Sequence, residues 1–149
     1  MPVKTYSVAA RTTPEKAYAY LSDLRRHPEW SPDNLTVEPQ GSGDVDVGTR
    51  YRTVGHLQGK PNEAIVEITE LAPATRFSFR SADSNGRSTW LHEFTLTPEN
   101  GGTRIDRKVS VVRAPALLNI IFPLLHPIVI GPGNMKSMEM LKAKLEAGA

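Results

Sequence analysis

The chain contains no cysteine. Disulfides, thiolate metal sites and cysteine nucleophiles are excluded, and a reducing compartment fits. Nor is there a long run of one charge. No block of like charges exceeds two or three residues, and the net charge is only +2, with eleven arginines against seven lysines. That balance gives a nucleic-acid role little support. The four histidines His27, His56, His92 and His126 show no paired ligand spacing, so no metal site is expected. A glycine-rich phosphate loop and a Ser-His-Asp motif are both absent, and no cofactor is expected. The start, Met1 to Tyr6, lacks the apolar stretch of a secretory leader, which makes the cytoplasm the expected location. The apolar, uncharged stretch of seventeen residues from Ala114 to Ile130 falls short of the roughly 20 needed to span a bilayer. It is interrupted by Pro123 and Pro127 and carries Asn119 and His126. A transmembrane span is not expected; contact with a membrane surface stays open.

What remains is a chain of 149 residues, 23% charged and 39% hydrophobic, long enough to bury a core as one domain over 1–149. Val3 to Arg11 reads as a strand, with Tyr6, Val8 and Ala10 on one face. A helix follows, begun either by a Thr12/Glu15 capping box or by Thr13 with Pro14 in the first turn. Ala17, Leu21 and Leu24 line its inner face, Pro28 ends it, and Arg25, Arg26 and His27 suit its C-terminus. Six strands are then expected: Leu35–Glu38, Thr49–Leu57, Glu63–Leu71, Thr75–Ala82, Arg87–Thr97 and Thr103–Val112. Short turns join them, at Gly41 to Asp44, Gly59-Lys60-Pro61-Asn62, Ala72 to Ala74, the Asn85-Gly86 pair, and Pro98 to Gly102. Strands joined so closely are antiparallel neighbours. The last third is helical, with Met135, Met138, Leu141 and Leu145 at helical spacing. Its prolines and Gly131-Pro132-Gly133 predict a kink or break near residues 123 to 133.

Alternation assigns the faces of the sheet. Tyr51, Thr53 and Leu57; Ala64, Val66 and Ile68; Phe77 and Phe79; Trp90, His92, Phe94 and Leu96; and Ile105, Val109 and Val111 share the apolar side. Two polar side chains fall on that side, His92 and Arg107. A buried guanidinium needs a partner, water or a cavity, unless a β-bulge turns it out to solvent. The curved sheet and the terminal helix are expected to bury one another and to leave a site between them.

The order and spacing of several short stretches carry a resemblance that no single motif does. They are Thr12 to Glu15, Asp23 with Pro28-Glu29-Trp30-Ser31-Pro32, Gly48-Thr49-Arg50-Tyr51, Glu70 to Phe77, and Gly101 to Ile105. The chain resembles, over nearly its whole length, the polyketide cyclase/dehydrase and lipid-transport family of the START and birch-pollen-allergen superfamily. The resemblance implies an α+β helix-grip fold: a seven-stranded antiparallel sheet wrapped around a long C-terminal helix, with a short helical pair after the first strand. It implies an internal cavity for a lipid, polyketide or aromatic metabolite. It does not imply an enzyme, because the family has no universal catalytic signature.

The residues expected around the ligand are Tyr51, Thr53, Phe77, Phe79, Trp90, His92, Phe94, Arg107, Leu118 and Phe122. The reading placed first is binding or carriage of a small hydrophobic molecule. The alternative is an aromatase/cyclase-type enzyme in which His92, Tyr51 and Arg107 polarise carbonyls and move protons. A third reading is an interaction protein that contacts a membrane or partner through its apolar C-terminal segment. The oligomeric state stays open, a dimer included.

Overall fold

The computed structural model describes residues 3–41, 43–57, 60–127 and 131–148, apart from the side chains of Leu57, Leu118, Asn119 and Leu125. The order is β1 (Val3–Ala10), α1 (Pro14–Leu21), a 3₁₀ segment (Leu24–Trp30), β2 (Thr36–Pro39), β3 (Arg50–Leu57), β4 (Lys60–Ala72), β5 (Arg76–Asp83), β6 (Thr89–Glu99), β7 (Gly102–Arg113), α2 (Ala116–Leu125) and α3 (Gly131–Glu146). The seven strands form one antiparallel sheet in the order β1-β7-β6-β5-β4-β3-β2. The two chain-distant strands β1 and β7 are neighbours; the other pairs are consecutive hairpins. This is the seven-stranded helix-grip arrangement.

Alternation placed the faces correctly. Tyr6, Tyr51, Val66, Ile68, Phe77, Phe79, Phe94, Leu96, Ile105 and Val109 join Met138, Leu141 and Leu145 of α3 in one core. The opposite face carries ion pairs: Arg50–Glu67, Arg52–Glu63, Arg76–Glu70, Arg80–Glu67 and Arg104–Asp106. Register through Arg107 is unbroken, since it pairs with Phe94 on one side and Tyr6 on the other. The irregularities sit elsewhere, between Ile68 and Glu70 and between Thr89 and Trp90. No bulge returns Arg107 to solvent, and it is buried.

Three local expectations are corrected. The first helix starts as the second alternative has it, with Thr13 accepting from the Lys16 N–H and Pro14 in the first turn, but it stops at Leu21. Asp23 then turns its carboxylate onto the Arg25 N–H, a side-chain bond that competes with the helical one and opens a 3₁₀ segment containing Pro28. His27 therefore lies in that segment and not at an α-helix C-terminus. Second, Gly59 of the expected turn lies outside the described residues, but Lys60, Pro61 and Asn62 belong to β4. There β4 extends past β5, whose pairing with it begins at Ala64, so Pro61 has β3 on one side only.

Third, Gly131-Pro132-Gly133 is the first turn of α3 and not a breaker. Proline is accepted there because its missing N–H would have no helical partner. The departure from α-helix falls within the expected 123 to 133: α2 ends at Leu125 and passes into a π turn at His126 and Pro127, where Pro127 has no N–H to return to the Pro123 carbonyl. Residues 128–130, within the expected break, lie outside the described residues. Gly131 is needed for close approach, since a Cβ there would stand 2.7 Å from the His126 carbonyl oxygen.

Candidate functional site

The concave face and the start of α3 enclose a cavity of about 340 Å³, near the lower end of small-molecule pockets. Phe79, Trp90, His92, Arg107 and Thr53 line it together with Ala64, Val66 and Val109 from the sheet, His27 from the 3₁₀ segment, Asp33 and Leu35 from the loop after it, and Ser137 from α3. Five of the ten residues expected around a ligand thus meet at one place. Phe77 and Phe94 lie in the core behind it. Phe122 packs beside Trp90, ring centroids 6.4 Å apart. The Leu118 side chain lies outside the described residues.

Tyr51 is not brought to this cavity. It is buried at the other end of β3, against a hollow bounded by Arg25 and the 39–50 loop. Burial pushes its hydroxyl pKa up, Asp23 adds to the rise and Arg25 opposes it. Of the proposed trio, only His92 and Arg107 are together.

Their arrangement follows from strand pairing. His92 faces Val109 and Phe94 faces Arg107 across β6 and β7, so His92 and Arg107 are diagonal neighbours on one face. The Arg107 Nη2 is 2.9 Å from His92 Nδ1 and its Nε 3.3 Å. A guanidinium can only donate, so His92 Nδ1 must accept and the proton sits on Nε2. Phe79 stacks on the imidazole at 4.7 Å. Burial, then the charge of Arg107, then His27 hold the His92 pKa well below its ordinary value.

His27 was read from sequence as a helix-end cation. It is neutral: burial, and then Arg107, pull its pKa down to about 3. Its ring stacks on Trp30 at 4.1 Å. The Trp30 Nε1 is buried with no hydrogen-bond partner among the described residues, while its carbonyl accepts from the Ser137 hydroxyl at 2.8 Å. That hydroxyl also accepts from Arg107 Nη1 at 3.3 Å. One serine therefore ties β7, the 3₁₀ segment and α3 together. Neither His27 nor Ser137 is among the residues expected from sequence at the site.

Asn62, Ser81, Trp90 and His92 also border a second, outer hollow of about 660 Å³ beside α2. Pro115, Leu117 and Ile121 form one wall of it, and Lys60, Asp83 and Arg87 stand at the strand ends opposite. Tyr6 holds the end of α2 through its hydroxyl, 2.8 Å from His126 Nε2. Leu117, Ile120 and Leu124 are exposed on α2, at the spacing of one helix face. No helix among the described residues is long and apolar enough to cross a membrane. No cluster of three His, Asp or Glu side chains that could hold a metal occurs among them.

Comparison with known proteins agrees with this geometry. The family model described as polyketide cyclase/dehydrase and lipid transport matches residues 1–146. No curated protein matches the sequence at a significant level. Among solved structures, TTHA0849 from Thermus thermophilus superposes with a TM-score of 0.78 at 18% identity, covering 99% of this chain and 100% of that one. Ara h 8.0201 has a TM-score of 0.69 at 14% identity, covering 99% and 100%. The di-domain ARO/CYC StfQ from the steffimycin biosynthetic pathway has a TM-score of 0.76 at 14% identity, covering 99% of this chain and 52% of that one. At such identities the structural likeness establishes the fold alone, but the family match spans nearly the whole sequence: the chain belongs to the polyketide cyclase/dehydrase and lipid transport family.

Proposed function

We propose that this protein binds or carries a small hydrophobic molecule in the cavity between the concave face and α3. The observation that carries this is the cavity itself: it is walled by Phe79, Trp90, Val66 and Val109, and it shares Trp90 and His92 with a second hollow beside α2. A lipid, polyketide or aromatic metabolite is the ligand class that such walls suit. The cysteine-free composition fits a reducing compartment, and the cytoplasm is the proposed location.

The test is titration with the neutral fluorophore N-phenyl-1-naphthylamine. Ala64 lies at the cavity wall, so Ala64→Phe should fill the space and abolish the fluorescence rise. Equal binding by wild type and Ala64→Phe would place the probe elsewhere and remove the support for this reading.

A second reading is the aromatase/cyclase one. It is favoured by His92 and Arg107, which border the cavity as hydrogen-bond donors able to polarise a carbonyl. Binding ranks above it because proton transfer is weakly provided for. A histidine held well below its ordinary pKa is a weak base at neutral pH. Among the described residues Asp33 is the one carboxylate lining the cavity; it is exposed, with partial burial raising its pKa and Arg107 opposing the rise. Turnover of a poly-ketone substrate that is lost in His92→Phe with the fold intact would reverse this order.

A further inference from the structure

Arg107 differs from the arginines on the outer face of the sheet. Arg50, Arg52, Arg76, Arg80 and Arg104, on the outer face, each reach a carboxylate. Arg107, on the inner face and buried, pairs with none among the described residues. Its acceptors there are neutral: His92 Nδ1 and the Ser137 hydroxyl. It also lies beside aromatic faces, with the guanidinium carbon 5.3 Å from the Phe94 centroid and 5.8 Å from that of Trp30, while Asp33 acts on it only from a distance. A guanidinium carries five N–H groups. The bonds to His92 and Ser137 engage three of them.

Burying a cation without a counter-charge is unfavourable, and a buried arginine normally has an anion in front of it. Here the cation borders a cavity. We infer that the cavity takes an apolar or aromatic molecule bearing an anionic oxygen group, a carboxylate or an acidic enol or phenol, with that oxygen on Arg107 and its carbon skeleton against Phe79 and Trp90. This rests on the binding reading above and adds the charge of the ligand to it. The neighbours support the assignment. His27 and His92 stay neutral beside the guanidinium, so neither competes as a second cation nor supplies a counter-charge. Arg107 itself is brought down only to about 10 by burial, with Tyr6 and Asp33 opposing, so it is charged at neutral pH.

The test compares ligands of nearly one shape on the unmodified protein: 2-naphthoate, the neutral 2-naphthamide and 2-methylnaphthalene, by isothermal titration at pH 7.5. A charge-assisted bond in place of a neutral one should favour 2-naphthoate over 2-naphthamide by about ten- to a hundredfold. In Arg107→Met the preference should vanish while 2-methylnaphthalene still binds, and in Arg107→Lys part of it should return. If 2-naphthamide or 2-methylnaphthalene binds as tightly as 2-naphthoate in wild type, the anionic assignment is wrong and the cavity reading survives. If 2-naphthoate keeps its preference in Arg107→Met, the anion lies elsewhere and the assignment is equally overturned. If none of the three binds wild type, the cavity reading fails and this inference with it. The wild-type comparison needs no variant to fold.

Discussion

The guanidinium of Arg107 donates to His92 Nδ1 at 2.9 Å, so a buried cation is held by a neutral imidazole and not by an acid. Fixing Nδ1 as acceptor leaves the Nε2–H of His92 as the other hydrogen-bonding group of the ring. The pair presents donors and positive charge, and this polarity selects what the cavity can hold.

Arg107→Met should be close to neutral for stability or stabilising. Removing one partner of a buried ion pair typically costs about 3–5 kcal/mol, because the other charge is stranded. No carboxylate in contact with Arg107 is left behind among the described residues, and Asp33 loses only a partner beyond contact; His92 loses a donor and Ser137 keeps its bond to the Trp30 carbonyl. A change within about 1 kcal/mol of wild type, or a gain, is expected in urea unfolding. A loss of about 3 kcal/mol or more would mean that Arg107 has an anionic partner within the protein.

His92 should appear as the Nε2–H tautomer, uncharged at pH 6, in long-range proton–nitrogen NMR spectra. In Arg107→Met the ring loses both the donor at Nδ1 and the neighbouring positive charge, so its pKa should rise toward the ordinary value. An Nδ1–H signal in wild type would contradict the hydrogen-bond assignment.

Acid should weaken the fold before the carboxylates titrate. His27 has a folded pKa of about 3 against an ordinary 6.5, and His92 is also depressed. The unfolded chain therefore binds more protons as pH falls below 6.5, and the stability present above that value is lost on the way down. Each histidine contributes a slope of up to about 1.4 kcal/mol per pH unit. Urea midpoints measured from pH 7.5 to 4.5 should fall accordingly, and His27→Phe, which keeps an aromatic ring on Trp30, should flatten the slope. An unchanged slope would show that His27 is not buried as a neutral group.

The faces of the sheet were legible in the sequence because strand alternation has a period of two, and that alone put His92 and Arg107 on the inner side. Distance along a strand was less legible. Tyr51 and Thr53 share a face, yet each residue advances the chain by about 3.3 Å, enough to leave Tyr51 beyond the cavity that Thr53 lines. His27 was misplaced because Asp23 ends α1 early through a side-chain bond, and the 3₁₀ segment that follows has no 3.6-residue pattern to read. Ser137 stands next to Met138 on the buried face of α3, and a small polar residue there gave no sign that it would bridge Arg107 and Trp30.

The joint before α3 is tightly fitted. Gly131→Ala would set a methyl group 2.7 Å from the His126 carbonyl oxygen and 3.1 Å from its ring. The chain must shift to admit it, at about 1–3 kcal/mol, which thermal unfolding will register as a lower midpoint. Gly133→Ala, where an added Cβ meets nothing within 4 Å, is the control and should stay near wild type.

The most direct test of ligand binding uses the two tryptophans, Trp30 and Trp90, whose indole N–H groups each give one resonance in a proton–nitrogen spectrum. Trp90 lines the cavity and Trp30 lies behind Arg107. On titration with 2-naphthoate the Trp90 signal should move in a saturable way, with a smaller shift at Trp30, and Ala64→Phe should suppress both. Saturable binding that leaves both indole signals in place, or that is unchanged in Ala64→Phe, would contradict a ligand site between the sheet and α3.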